Sequence, residues 1–416
     1  MQSCIYFESP STLHCAAAPI PTRRSTRKPG MWYIGNDPIG KRNFVMNQHR
    51  AVLCLLPAFA VGAGIAVPAC AATKYVLPHL AVYRGATATA KVNAFAAWIH
   101  RPGIWAEDFM DDSSWGSIAN PNWQTVPWGK WAKARPGRRL ILSVTLLPGP
   151  WNGSGPMAGT IAVKKPVSLK DGAAGAYNNY FKSLAENLVA HGLGNSILRL
   201  GWEFNGGWYA WRAGGSPRAF AAYWRQIVKT MRAVHGGQHL QFCWNPSVGY
   251  LQFPAEEAWP GRKYVNYIGL DIYDQCWLKG TYPWPKNATS AQILARQKRA
   301  WNKKLMRGNH GIAYWIIFAK RHHRPLAVPE WGVDNRSDGH GGMDDPYFIK
   351  QMYKFMANPA NHVAWDSYFE FRAPDGDHQI SPGLGHYKTE FPKSAAEFQK
   401  LFGGRRPRRA GRPRRF

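Results

Sequence analysis

Short apolar, strand-like runs alternate with segments of helical period from His79 to Phe371. This alternation is typical of βαβ units around a parallel sheet. Eight runs are predicted strands: His79 to Tyr83, Ile104 to Phe109, Leu140 to Leu146, Ile197 to Trp202, His239 to Trp244, Val265 to Tyr273, Pro325 to Trp331 and Val363 to Phe371. Eight strands with interleaved helices predict an α/β fold, the (β/α)8 TIM barrel with long loops.

Helical patterns fill the intervals between these strands. Tyr177, Phe181, Leu184 and Leu188 recur at helical spacing, and Gly192 stops the run. A second helix is predicted from a Ser216 N-cap and Pro217 to Gly236, with further patterns over about 87–100, 289–307, 345–357 and 394–402. A doubly wound open sheet is the alternative, but no Gly-rich phosphate loop follows any strand.

Composition excludes disorder for most of the chain. The 416 residues are 45% hydrophobic and include 20 Trp, so they can bury a large core. The net charge of +29 would suit a polyanion partner, but part of it lies in the Arg-rich carboxyl end, RRPRRAGRPRRF. Aromatic richness of this degree fits ring stacking on sugars or bases better than pure phosphate binding.

Cysteine usage argues against a metal cluster. Four of the six Cys lie in the first 72 residues, which leaves Cys243 and Cys276 for the globular part. No CxxC or Cys/His ligand spacing occurs, so no structural zinc is predicted, and Asp375-Gly-Asp377 offers too few oxygens for calcium. A single disulfide between Cys243 and Cys276 stays open.

The amino terminus has the layout of a secretory signal. From Met46, a short basic start precedes an apolar run over 51–67 and the A-x-A arrangement Ala69-Cys70-Ala71. A membrane anchor and a lipid-modified Cys70 are the alternatives. We therefore divide the chain into an unstructured upstream extension (1–45), a signal peptide (46–72), a catalytic barrel (73–404) and a basic disordered tail (405–416), and expect a secreted or periplasmic protein.

Two carboxylates stand where the chemistry of a barrel is expected. Glu203 follows the fourth predicted strand and Glu330 closes the seventh, each next to indoles that would raise a carboxyl pKa. Cleavage of a glycosidic bond requires one protonated acid for the leaving oxygen and one carboxylate for the anomeric carbon. A carboxylate pair on these two strands therefore predicts glycoside hydrolysis.

These residues and their neighbours resemble the clan of retaining (β/α)8 glycoside hydrolases, and within it family 26, whose founding activity is β-mannanase. The resemblance covers most of residues 79 to 403. Its motifs occur in family order: Tyr83-Arg-Gly85, Trp105-Ala-Glu-Asp-Phe109, Arg199 to Trp211, Phe242-Cys-Trp-Asn-Pro246, Tyr267-Ile-Gly-Leu-Asp-Ile-Tyr273 and Pro329-Glu-Trp-Gly332.

The resemblance implies a two-step double displacement with retention of configuration. Glu203 stands in the family's acid/base position and Glu330 in that of the nucleophile, and Tyr273 matches the tyrosine that hydrogen-bonds the nucleophile. The carboxyl groups of a retaining pair lie roughly 5 Å apart. No cofactor is implied.

Sugar contacts are expected from aromatic rings and amides near the pair. The candidates for binding substrate are Trp202, Asn205, Trp208, Trp211, Trp244, Asn245, Tyr273, Trp331, Tyr368 and Asp108, with Glu107 beside the last. Trp208 is the strongest of the tryptophans, because it follows Gly206-Gly207 in a loop.

One departure bears on the substrate. Mannanases of this family usually carry a His directly before the acid/base Glu, where this chain has Trp202. Indole cannot reproduce an imidazole acceptor. We expect an endo-type β-glycosidase with β-1,4-mannan as the family default, and other β-glucans, β-1,3-xylan or a bacterial exopolysaccharide as alternatives.

Two non-catalytic interpretations stay open. A polysaccharide-binding barrel would need the stacking residues but not both carboxylates, and the basic tail could contact an anionic polymer. No stable nucleic-acid or protein partner is implied.

Overall fold

The computed structural model describes residues 75–149, 167–382 and 388–404. The predicted upstream extension, signal peptide and basic tail lie outside the described residues and stay predictions. Within the described part, no helix is long and apolar enough to cross a membrane.

Eight parallel strands close into a barrel, which confirms the predicted (β/α)8 fold. They are β1 (His79–Tyr83), β2 (Trp105–Phe109), β3 (Leu140–Val144), β4 (Ile197–Leu200), β5 (Gln241–Trp244), β6 (Tyr267–Gly269), β8 (Leu326–Gly332) and β10 (Val363–Phe369). Each pairs with the next in this order, and β10 pairs with both β8 and β1 to close the cylinder. The short β7 (Ile272–Tyr273) pairs with β8 beyond β6, and β9 (Asn335–Arg336), β11 (Arg372–Ala373) and β12 (Gly376–Asp377) form a small antiparallel sheet.

The helices are α1 (Thr89–Trp98), α2 (Trp115–Ala119), α3 (Asn122–Lys133), α4 (Leu169–Ala173), α5 (Asn178–Ala190), α6 (Pro217–Ala233), α7 (Ser290–Ala300), α8 (Ile312–His322), α9 (Pro346–Ala357) and α10 (Pro392–Phe402). A π-helical turn, Trp301–Met306, continues α7. All six predicted helices are present. Ser216 stands at the N-cap position of α6 as predicted, although its side chain makes no capping hydrogen bond.

The barrel interior is apolar in its middle and charged at the carboxyl ends of its strands. Its middle is apolar and consists of Ala81, Trp105, Ile141, Ile197, Cys243, Ala327 and Trp365. Because side chains two residues apart on a strand point to the same face, the next inward positions on β2, β3 and β4 are Glu107, Ser143 and Arg199, all buried. A layer of charged side chains therefore lies at the carboxyl ends of the strands, next to the apolar cluster in the middle of the barrel.

Cys243 and Cys276 are both buried free thiols, so the disulfide considered from the sequence is not formed. Cys243 lies on β5 within the apolar middle of the barrel. Cys276 packs near Tyr282 in a separate small cluster.

Candidate active site

Arg199 is the centre of the charged layer. Its side chain is fully buried and donates to the carboxylates of Glu107, Asp271 (2.9 Å) and Glu330 (2.6 Å), and to Ser143 Oγ (2.8 Å). Although burial acts to lower it, these three carboxylates, Asp271 first, hold the pKa of Arg199 well above its ordinary value. The guanidinium thus stays charged and joins strands β2, β4 and β8 through one ion-pair network.

Glu330 is held by donors on two sides. Arg199 donates to Oε1, and the Tyr273 hydroxyl donates to Oε2 at 2.8 Å. The backbone N–H of Glu330 donates to Asp271 Oδ1 at 3.0 Å, which fixes the end of β8 against the sixth strand. Burial, followed by the charge of Glu330, raises the pKa of Tyr273 well above its ordinary value, so this hydroxyl stays protonated and remains a donor.

Glu203 sits in a tight turn directly after β4. Gly201 and Glu203 both have positive φ, 54° and 51°, and the left-handed conformation costs a non-glycine residue roughly 1–2 kcal/mol. The Glu203 N–H donates to Asn245 O at 2.8 Å and its carbonyl accepts from the Gly206 N–H at 2.9 Å, so the turn is fixed at both ends. The strain is compatible with a turn that must present one side chain at the mouth of the barrel.

The carboxyl of Glu203 differs in environment from that of Glu330. The Trp208 indole N–H donates to its Oε2 at 2.9 Å. Burial, and secondly the charge of Glu330, raise the pKa of Glu203 to about 8, against the opposing effects of Trp208 and Arg199. Glu203 follows β4 and Glu330 lies near the carboxyl end of β8, so both carboxyls lie at the same end of the barrel. Burial and the charge of Glu330 favour the neutral form of Glu203 at neutral pH.

Three predicted substrate residues surround this pair. Trp208 and Tyr273 are half-buried and bond directly to Glu203 and Glu330. Trp202 is 4% exposed, donates its indole N–H to the Tyr209 hydroxyl at 2.8 Å and meets Phe109 edge to face. Its polar atom is therefore occupied within the protein.

Two predicted amides contribute to the framework instead of facing a sugar. The Asn205 side chain exchanges hydrogen bonds with the backbone of Ser247, and Asn245 accepts from Arg199 Nε at 2.7 Å. Both side chains are fully buried, so the prediction that they bind sugar hydroxyls is corrected: they tie the loops after β4 and β5 together and orient the central Arg199.

The prediction that four further aromatic residues bind substrate is also corrected. They are at most 1% exposed, and each polar atom bonds within the protein: Trp211 to Trp202 O, Trp244 to Ala258 O, Trp331 to Asp366 and Tyr368 to His378 O. Trp331 packs against Phe398 and Phe402 of α10. These rings belong to the core.

Asp108 is a structural residue, so the prediction that it binds substrate is corrected as well. It is fully buried and accepts from the Trp128 indole (2.6 Å) and Gln124 (3.2 Å), both on α3, and from the Thr87 N–H (3.0 Å). Glu107, one residue earlier, points to the opposite face of β2 and joins Arg199. Burial raises the pKa of Glu107 to about 7, although Arg199 acts to lower it.

The roles of Arg199, Asp271 and Tyr209 were not predicted from the sequence, where these residues appear only within motifs. Two of these roles could have been predicted, because Arg199 and Asp271 are charged residues within otherwise apolar strand patterns, which indicates buried ion pairs inside the barrel. His378 was also missed; its ring lies 4.8 Å from that of Tyr273, and its Nδ1 bonds to Val333 O at 2.8 Å. No group of three or more potential metal ligands occurs in the described ranges.

The fold is a (β/α)8 barrel with a carboxylate cluster at the carboxyl ends of its strands, and a family match gives its class, a glycoside hydrolase. The model of glycosyl hydrolase family 26 matches residues 176–299, which include Glu203 and strands β4 to β7. This match confirms the resemblance to family 26. A comparison with curated protein sequences found no match.

A solved structure shows the same architecture. The catalytic domain of a Bacillus sp. JAMB-750 GH26 endo-β-1,4-mannanase is 14% identical, with a TM-score of 0.50 over 78% of this chain and 86% of that one. At this identity the likeness shows the fold alone. A modular endo-β-1,4-mannanase from Cellulomonas fimi (17% identical, TM-score 0.49, 79% of this chain and 71% of that one) and a Bacillus subtilis mannanase (14%, 0.47, 79% and 86%) are also similar.

Proposed function

We propose that this glycoside hydrolase is a retaining, endo-type β-glycosidase in which Glu330 is the nucleophile and Glu203 the acid/base. One observation carries the proposal: two carboxyl groups at one end of the barrel have different partners. Glu330 accepts hydrogen bonds from the Arg199 guanidinium and the Tyr273 hydroxyl, whereas burial raises the pKa of Glu203 to about 8.

The two steps follow from these environments. Neutral Glu203 gives its proton to the leaving glycosidic oxygen while a Glu330 oxygen forms a bond to the anomeric carbon. In the second step a water oxygen attacks the anomeric carbon and releases Glu330, while Glu203, now ionised, takes a proton from that water. Two inversions at the same carbon give net retention.

The proposed substrate is a β-linked polysaccharide, with β-1,4-mannan as the family default. Structures similar to this chain include enzymes described as endo-β-1,4-mannanases. A second candidate, a β-linked polysaccharide other than mannan, is favoured by Trp202, whose only polar atom is bonded to Tyr209 and offers nothing to a sugar hydroxyl.

A panel of polysaccharides tests the proposal. Reducing-sugar release would be measured on mannan, glucomannan, β-glucans, xylans and acidic exopolysaccharides, with the anomeric configuration of the first product followed by NMR. We expect the protein to hydrolyse one polymer with retention of the anomeric configuration. In Glu330→Gln this activity should fall by several orders of magnitude. Glu186→Gln on the exposed surface of α5 is the matched control. A polymer that binds to the protein without being hydrolysed would instead indicate a non-catalytic, polysaccharide-binding barrel.

A further inference from the structure

The end of the barrel opposite the carboxylates has an unusual charge distribution. The segments that lead into the second to eighth barrel strands are 99–104, 134–139, 191–196, 234–240, 259–266, 323–325 and 358–362, and they contain no Asp or Glu. They carry seven Lys and Arg residues. Six of these we call the basic face: Arg135, Arg138, Arg139, Arg262, Lys263 and Arg324; the seventh is Arg101. By contrast, Glu203 and Glu330 lie at the other end.

The basic face is held together by backbone carbonyls instead of carboxylates. Arg324 donates to Arg262 O at 2.8 Å, and Arg139 donates to Asn195 O at 2.7 Å. Arg232, in the last turn of α6, donates to Lys263 O at 3.2 Å. Over the described ranges, no residue of the basic face forms an ion pair with an acid.

Arg324 lies near both Arg262 and Arg232, so the charges of these cations repel. Burial, and then the charge of Arg262, lower the pKa of Arg324; burial and Arg324 do the same to Arg232. Helix ends reinforce the arrangement, since Lys320 and Arg321 occupy the last turn of α8, where the helix dipole favours positive charge. An anion bound across these loops would relieve the repulsion.

The same end of the barrel has a concave part. A cavity of about 580 Å³ opens there, lined by Arg101, by His79 at the start of β1 and by His362 just before β10, with apolar Leu77 and Met356 beside them. A polymer with both charged and apolar faces, such as a chain of acidic sugars, could therefore lie over loops and cavity together.

We propose that the basic face binds an anionic polysaccharide that bears an acid group on most of its sugar units, while the opposite end of the barrel carries the hydrolytic site. The large aromatic residues of the described chain that are exposed, such as Trp123, Tyr250 and Trp277, lie outside these segments, so we assign recognition here to charge and not to the stacking of unpaired bases. The arrangement would hold the enzyme on an acidic matrix with its cleft facing away from the attachment.

Two charge-reversal variants of the full chain, each with three substitutions, test the basic face. The first variant, Arg135→Glu with Arg262→Glu and Lys263→Glu, alters exposed side chains of the basic face. The control, Lys170→Glu with Arg218→Glu and Lys279→Glu, changes three exposed cations elsewhere by the same total charge. Binding to polygalacturonate would be measured at several salt concentrations. We expect the first variant to bind roughly tenfold more weakly, with a shallower salt dependence, and the control to change little.

Activity on a neutral soluble substrate shows that each variant is folded, and we expect it to be unchanged in both. If the triple variant fails to fold, Arg262→Gln with Lys263→Gln replaces it. Equal loss in both variants would overturn the proposal, as would binding that depends only on residues 405–416 when these are deleted. Equally tight, equally face-dependent binding of duplex DNA would show that the partner is not specifically a polysaccharide.

Discussion

Arg199 stabilises the site by sharing one charge among three buried carboxylates. We expect Arg199→Met to lower the free energy of unfolding by about 3–5 kcal/mol, because Glu107 and Asp271 would be left buried without a counter-charge. Denaturant unfolding measures the effect, and Arg212→Met, at an exposed position, is the control. A loss below about 1 kcal/mol would show that the network is not structurally important.

The raised pKa of Glu203 predicts the alkaline limit of activity. The acid must be protonated to assist the leaving group, so kcat/KM is expected to fall as the pH rises through about 8. Trp208→Phe removes an N–H that lowers this pKa, so the alkaline limb should move to higher pH. A pH profile with a substrate that has a poor leaving group tests both. An alkaline limb that Glu203→Gln leaves in place would assign it to another group.

The turn after β4 depends on glycine at position 201. A Cβ there would lie 2.7 Å from Leu146 Cδ1, and the residue has a φ of 54°. We expect Gly201→Ala to cost roughly 2–4 kcal/mol of stability and to lower activity, because the turn carries Glu203. Gly103→Ala is the control, since nothing lies within 4 Å of its Cβ position. Thermal unfolding of both variants measures the difference; equal melting temperatures would contradict the account.

The elements were predictable where local pattern and tertiary environment agree. The ends of all eight barrel strands lie within four residues of their predicted positions, because buried parallel strands give short apolar runs. Helix α8, Ile312–His322, was missed because apolar residues occur on several of its sides, including the exposed Ile317. Helix α3 was missed because Pro127 interrupts its pattern.

The site was predictable only in part, for a geometric reason. Adjacent residues on a strand point to opposite faces, so a residue next to an inward-facing group usually points outward. Trp244 precedes inward-facing Asn245, and Asp108 follows inward-facing Glu107; both Trp244 and Asp108 are core residues. Choosing substrate contacts by their nearness in sequence to Glu203 and Glu330 therefore gave residues of the core. Following the alternation of side-chain direction along each strand would have pointed to Arg199 and Asp271.

The whole molecule contains several buried carboxyl groups outside the ion-pair network of Arg199. Burial raises the pKa of Asp108 to about 6, of Asp366 and Glu370 to about 7 and of Asp334 to about 8. These folded-state values exceed those of the unfolded chain, so the stabilisation is complete below about pH 4, where the unfolded carboxyls are protonated too, and it is lost as the pH rises from there through about 6 to 8.

We therefore expect a lower free energy of unfolding at pH 9 than at pH 5. Asp366→Asn keeps an oxygen acceptor for the Trp331 indole but cannot ionise, so it should reduce this pH dependence. Denaturant unfolding at both pH values compares the variant with the unaltered chain. A stability that increases from pH 5 to pH 9 would contradict the raised pKa values.

At the scale of the whole molecule, the carboxylate cluster lies at the carboxyl ends of the strands and the basic face at their amino ends. The proposed substrate and the proposed anionic polymer would therefore bind at opposite ends of the barrel.

Trapping the glycosyl-enzyme tests the central claim most directly. A 2-deoxy-2-fluoro β-glycoside with an activated leaving group, matched to the sugar that the panel identifies, slows both steps and lets a covalent intermediate accumulate. We predict a one-to-one adduct, located by peptide mass spectrometry on Glu330, and its absence in Glu330→Gln. An active enzyme that forms no adduct and inverts the anomeric configuration, or an adduct on another residue, would contradict the assignment.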